Sequence, residues 1–197
     1  IQIESGAGSA GTYFNDVTFS GDSTYRFPYY GATDVTVSGD LTMSGTPDIK
    51  QWRRNLIVTG DVTIGSGCVY DCEGSGVDGV DSDFTAGSLE IGGTFKASSG
   101  TTTLNGGGAN SDSNTPLYGT GTFTHNKGTL HFASGAAYRI PLGGTFYNVT
   151  TDVQLYGYGG SLSPQATMPD GTTAADFVSI EGTFRINNSN VYPYSWD

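Results

Sequence analysis

Apolar and polar residues alternate along much of the chain, and the alternation repeats around a glycine. "VTVSGDLTM" (residues 35–43) and "LIVTGDVTI" (56–64) share one template, apolar-x-apolar-x-Gly-x-apolar-x-apolar. "VTFSGDSTY" (17–25), "LEIGGTFKA" (89–97) and "VSIEGTFRI" (178–186) follow it with one polar slip at Ser23. "LYGTGTFTH" (117–125) and "IPLGGTFYN" (140–148) keep its parity. Alternation with a period of two predicts a strand with one buried face, and in every copy the glycine falls on the buried parity. There it leaves room for a bend, a bulge or the close approach of a neighbouring backbone.

The central glycines are Gly21, Gly39, Gly60, Gly93, Gly121, Gly144 and Gly182, at intervals of 18, 21, 33, 28, 23 and 38 residues. The first two intervals match one coil of a β-solenoid, and the longer ones match a coil that carries an inserted loop or hairpin. Each coil then lays its strand about 4.8 Å above the last, stacking Val37 on Val58 and Leu41 on Val62. One coil cannot bury its apolar face alone, which is the physical reason to write the strand repeatedly. The expected fold is therefore all-β, a single-stranded parallel β-helix (β-solenoid) with inserted loops and hairpins, as one domain over residues 1–197. The alternative is an antiparallel β-sandwich, to which irregular spacing and a hairpin at "FTHNKGTLHF" (123–132), turning at Asn126-Lys127-Gly128, would be natural. Fixed placement of the glycines favours the solenoid.

Composition agrees with strands and turns. Glycine, at 31 of 197 residues, is about twice its ordinary share, and charged residues are 14% where about a quarter is usual. Amphipathic helices need Glu, Lys, Ala and Leu, so almost no helix is expected. The hydrophobic fraction of 36% still supports an ordered core. The net charge is −11, with 8 basic residues against 19 acids, of which 15 are aspartates, a turn residue. Nucleic acid is excluded as a partner because a phosphate-binding face needs clustered cations, and the only cluster is Lys50, Arg53 and Arg54. No run of 18 apolar residues occurs, so no membrane insertion is expected. The chain begins at Ile1 rather than Met, the expectation for a processed or partial product. Cys68 and Cys72 can form a disulfide only if the chain turns between them, because residues four apart on an extended strand stand roughly 13 Å apart.

Segments such as "GTGTFTHNKGTLHFASGAAYRIPLGGTFYNVTT" (119–151) and "VTVSGDLTMSG" (35–45) resemble the Gly/Thr/Asn-rich coils of parallel β-helix proteins on phage particles and bacterial surfaces, among them spikes, head decorations and adhesin-like repeats. The likeness covers about two-thirds of the chain and lies in strand-and-turn pattern. It implies a non-enzymatic structural or adhesive protein of a virion or cell surface, extracellular, with glycan binding as a further property. A homo-oligomer or other particle subunits are the implied partners, together with a host-surface glycan. It also leaves open a polysaccharide-degrading β-helix enzyme, a lyase or glycoside hydrolase, and a bacterial adhesin passenger segment. No catalytic motif of any one such family is matched, so no catalytic residue is assigned.

Four features are candidates for chemistry. Asp22, Asp40 and Asp61 follow the glycine in the first three copies, and coils in register would align them as an outward ladder. Such a ladder either binds Ca²⁺ or has each carboxylate bonded to its own turn in water. The acidic stretch "YDCEGSGVDGVDSDF" (70–84) supplies Glu73, Asp78, Asp81 and Asp83 as the candidate Ca²⁺ ligands, although it lacks the closing Glu of an EF-hand and is otherwise a solvated acidic loop. No cofactor is required. His125 and His131 flank the Asn-Lys-Gly turn and would share a face if the hairpin forms. Finally, Tyr29, Tyr30, Tyr156, Tyr158, Tyr192, Tyr194 and Trp196 lie beside glycines and prolines outside the repeat strands, suited to sugar binding, subunit contact or capping of the solenoid ends. Trp52, in the basic "IKQWRRN" (49–55), is assigned to a salt-bridging contact between subunits.

Overall fold

The computed structural model describes residues 12–27, 34–51, 54–73, 82–106, 115–133, 138–141, 144–153, 155–158 and 179–186. Within them the chain is all-β, without helix, and every strand pair is parallel. It winds as a β-solenoid, three short strands to a coil. The coils run β1 (Thr12–Phe14), β2 (Val17–Gly21), β3 (Thr24–Arg26); β4 (Val35–Val37), β5 (Leu41–Gly45), β6 (Asp48–Lys50); and β7 (Leu56–Val58), β8 (Asp61–Ile64), β9 (Val69–Asp71). They continue through β10 (Phe84–Ala86), β11 (Ser88–Ile91), β12 (Thr94–Lys96); β13 (Thr101–Leu104), β14 (Leu117–Gly119), β15 (Thr122–Thr124); β16 (Thr129–Phe132), β17 (Tyr138–Pro141), β18 (Thr145–Phe146); and β19 (Asn148–Thr151), β20 (Leu155–Tyr158), β21 (Ser179–Ile180), to β22 (Phe184–Ile186).

Every third strand joins the same sheet. The first sheet has eight strands, β1-β4-β7-β10-β13-β16-β19-β22; the second has five, β2-β5-β8-β11-β14; the third has five, β3-β6-β9-β12-β15. The pairs β17-β20 and β18-β21 lie beyond β14 and β15 respectively. Register is set by which residue of each strand is apolar, because a slip of one residue would turn the buried set outward. Val37 pairs with Val58 and Leu41 with Val62, as the alternation predicts.

The inward residues form continuous columns. Leu41, Val62, Leu89 and Leu117 stack on the second sheet, and Tyr70, Phe95 and Phe123 on the third, continued by Phe146 on β18, with ring centroids 5.7, 5.9 and 5.3 Å apart in turn. All but Phe123, at 4%, are wholly inaccessible to solvent. Each such side chain stabilises the fold by about 1.5–3 kcal/mol of transfer free energy, so the core is a stack of small equal contributions rather than one nucleus.

Two expectations are corrected. The nonapeptide is not one strand: residues 35–43 are β4 and the start of β5, in different sheets, and Gly39 is the corner between them. Nor do the seven glycines share one place. Gly39 and Gly60 turn the chain from the first sheet to the second, Gly21, Gly93, Gly121 and Gly144 stand between the second and third, and Gly182 stands between the third and first. The interval from Gly21 to Gly39 thus runs from one corner to another and is not a coil. A corner that keeps the alternation in phase is invisible to a period-two template. The second correction is that "FTHNKGTLHF" is no hairpin: β15 and β16 belong to different sheets, and Asn126-Lys127 turn the third corner with positive φ of 43° and 61°.

Candidate functional site

The polar residues that repeat are used to join one coil to the next. At the first corner Asp16 Oδ1 accepts the backbone N–H of Asp40 at 3.0 Å, Asp40 Oδ1 accepts that of Asp61 at 2.9 Å, and Asp61 Oδ1 accepts the hydroxyl of Ser88 at 2.7 Å. Glycine makes room for this. A Cβ on Gly39 would fall on the Asp16 carboxylate, and one on Gly60 would fall on the Asp40 carboxylate and 2.7 Å from Gly39 O. The expected aspartate ladder is therefore Asp16, Asp40 and Asp61; Asp22 lies at another corner and is not part of it. Each carboxylate bonds the coil above, and Asp16 Oδ2 also accepts from Asn15 Nδ2 at 3.1 Å within its own turn. The charge-assisted hydrogen bonds thereby offset the mutual repulsion of the stacked charges.

The third corner repeats the device with other residues. Asn55 Oδ1 accepts the N–H of Asp83 at 2.9 Å, Asp83 Oδ1 accepts that of Thr101 at 2.8 Å, and Asn148 Oδ1 accepts that of Thr183 at 2.9 Å. Glu73 Oε1 accepts the N–H of Ser99. Of the candidate Ca²⁺ ligands, Glu73 and Asp83 thus each hold the coil above, while Asp78 and Asp81 lie outside the described residues. Among the described residues no group of three or more His, Cys, Asp and Glu side chains is placed to hold a metal ion.

Charged side chains also stack on the outer face of the third sheet. Lys50, Asp71 and Lys96 pair in register on β6, β9 and β12. Asp71, nearly buried, lies 3.5 Å from Lys50 Nζ and 3.2 Å from Lys96 Nζ, and Asp48 lies 3.1 Å from Lys50 Nζ. Beneath them Gln51 is fully buried: its Nε2 donates to the carbonyls of Arg54 and Asp83, and its Oε1 accepts the Tyr70 hydroxyl at 3.0 Å. Arg54 is buried as well, at 4% exposure. Lys50 and Arg54 are thus turned into their own molecule, while Trp52 and Arg53, to which the contact between subunits is assigned, lie outside the described residues.

Cys68 and Cys72 are free and buried on either side of β9, whose extended backbone holds them apart. Burial pushes both thiols up from their ordinary range, Cys72 further, with Asp71 and Glu73 adding to the effect. The histidines do not share a face. His131 Nε2 lies 3.1 Å from Asp152 Oδ2, while His125, at the third corner, has Nε2 3.5 Å from Glu181 Oε2 and its ring stacked on Tyr147. Tyr156 and Tyr158 are strand residues of β20 rather than loop residues; Tyr29, Tyr30, Tyr192, Tyr194 and Trp196 lie outside the described residues.

One cluster is not foreshadowed in the sequence. Tyr118 pairs in register with Glu90 on the outer face of the second sheet, and its hydroxyl is hydrogen-bonded with Ser88, which in turn donates to Asp61. Burial pushes the Tyr118 phenol up, Glu90 and then Asp61 add to this, and the Ser88 bond opposes it. Two carboxylates beside a tyrosine are a recognisable acid–base set, yet here Ser88 is wholly buried and the chain of hydroxyls closes on Asp61, clasping three coils together. No family model, characterised protein sequence or solved structure gives a significant match to the chain.

Proposed function

We propose that the chain is a non-enzymatic structural or adhesive β-solenoid of a virion or cell surface, acting outside the cell as an oligomer, with tyrosine-rich segments making glycan or subunit contacts. One observation carries this reading: the repeated polar residues, Asp16, Asp40, Asp61, Asn55, Asp83 and Asn148, place their acceptors on the neighbouring coil. A surface built this way suits a stiff spacer or scaffold. Its carboxylates already have hydrogen-bond partners and are poorly placed to serve as mobile acids or bases.

Electron microscopy and light scattering of the purified chain, alongside incubation with capsular polysaccharides, test the reading. Defined oligomers or arrays that leave the polysaccharide intact support it. A monomer that depolymerises the polysaccharide, and loses that activity in Asp61→Asn or Glu90→Gln, overturns it in favour of an enzyme centred on the Tyr118 cluster.

A further inference from the structure

The turn that carries residues 125–128 is built on an unusual acceptor. His125 O accepts the Gly128 N–H at 2.9 Å, and His125 Nδ1 accepts the Lys127 N–H at 3.0 Å. Both central residues, Asn126 and Lys127, have positive φ although neither is glycine. Asn tolerates that region because its short polar side chain bonds locally, and here Asn126 Nδ2 donates to Ala97 O at 2.8 Å. Lys127 has no such compensation, so its conformation is held by the bond from its N–H to the imidazole.

That bond fixes the ring. With Nδ1 accepting, the neutral imidazole carries its hydrogen on Nε2, which faces Glu181 Oε2 at 3.5 Å. Glu181 lies two coils on, beyond Tyr147, whose ring stacks on the imidazole with centroids 5.8 Å apart. Among the described residues, Glu181 and Tyr147 are the titratable groups that face His125 from the neighbouring coils, and Lys127 is the charged residue of its own turn. The crevice under the turn is lined by Ser98, Phe123, Gly128, Phe146 and Tyr147, so the turn covers the end of the aromatic column.

We propose that His125 is a proton-sensitive latch: taking up a proton on Nδ1 ejects the Lys127 N–H from its acceptor and loosens the third corner over Phe123 and Phe146, while Nε2 stays with Glu181. The proton cannot be added at Nε2, which already bears one, so Nδ1 is where protonation must occur. Two N–H groups then face each other where one donor met one acceptor. Glu181 is half exposed and its attraction for the new charge is screened, so it does not compensate for the turn. Asp, Asn and Glu oxygens accept the other corner bonds described above, so an imidazole acceptor is particular to this turn. The device is local to this corner.

Amide hydrogen exchange read by NMR at pH 8 and pH 5, normalised for intrinsic exchange chemistry, tests this together with the ¹⁵N shifts of the imidazole. The expected result is that, in step with the imidazole's uptake of a proton on Nδ1, protection of the Lys127 amide falls about fivefold relative to the Phe95 amide, the loss of one ordinary hydrogen bond. His125→Asn keeps an acceptor at the same position but takes up no proton, so its Lys127 protection should be equal at the two pH values. An imidazole that stays neutral at pH 5, unchanged protection in the unmodified chain, or the same loss in His125→Asn would each overturn the proposal.

Discussion

Asp40 Oδ1 accepts the backbone N–H of Asp61, one coil on, at 2.9 Å, and it does so in the space that a side chain on Gly60 would fill. Glycine and aspartate are thus one device: the glycine of each turn admits the carboxylate of the turn below, which bonds the next residue.

Gly60→Ala should therefore cost far more than an ordinary glycine replacement. Its Cβ would meet the Asp40 carboxylate and lie 2.7 Å from Gly39 O, so either the ladder bond or the coil spacing must yield, at about 2–4 kcal/mol. Gly21 is the control. It has φ of +97°, but a Cβ added there would meet nothing within 4 Å, so Gly21→Ala carries only backbone strain of about 1 kcal/mol. Urea unfolding of the two variants gives the comparison, and equal destabilisation would show that crowding at Gly60 does not matter.

The ladder needs an acceptor rather than a charge, which separates it from a cation site. Asp40→Asn retains an oxygen for the Asp61 N–H and should cost under about 1 kcal/mol, whereas Asp40→Ala leaves that donor without its partner and should cost about 1–2 kcal/mol. Thermal unfolding with and without added Ca²⁺ distinguishes the cases. If the asparagine variant is as damaged as the alanine variant, or if Ca²⁺ stabilises only the unmodified chain, the carboxylate charge itself is being used.

Much of this architecture is legible in the sequence, and the parts that are not have a common cause. Alternation marks the buried faces and even the pairing of Val37 with Val58, because parity survives wherever strands stack in register. It cannot locate the corners, since a turn of suitable length passes from one sheet to the next without breaking the alternation, as Ser38-Gly39-Asp40 does. Coil length then varies with insertion, so the repeat groups Asp22 with Asp40 and Asp61 although Asp16 is their true neighbour. Asp61, Ser88 and Tyr118 become adjacent only once those lengths are known, and nothing local marks them. The Asn-Lys-Gly turn resembles a hairpin because two residues of positive φ suit a tight hairpin and a solenoid corner alike.

Thr102 is one place where the core is improvable. It points inward on β13 at 1% exposure, and its Oγ1 has no hydrogen-bond partner. A buried hydroxyl without a partner costs about 1–3 kcal/mol, and valine has nearly the same shape without that cost. Thr102→Val should raise stability by about 1 kcal/mol, seen as a higher urea midpoint at unchanged slope. A lower midpoint would mean that the hydroxyl is satisfied in solution.

Alkaline pH should weaken the fold through Cys72 and Tyr70. Burial pushes the Cys72 thiol well above its ordinary value, with Asp71 and Glu73 contributing, and burial does the same to the Tyr70 phenol, with Cys72 contributing. A group whose folded pKa is raised binds its proton more tightly when folded. Its contribution is complete below the unfolded value, about 8.5 for a thiol and 10 for a phenol, and is lost as pH rises toward the folded value. Stability measured by urea unfolding should therefore be flat from pH 7 to about 8 and fall progressively from about 9 upward. Cys72→Val, which keeps an apolar group of similar size but has no proton to lose, should flatten the first part of that fall. Tyr70→Phe should flatten the later part while sacrificing the bond to Gln51 at every pH. If the decline begins below about pH 8, or is unchanged in both variants, other groups govern the alkaline limit and these two buried acids do not.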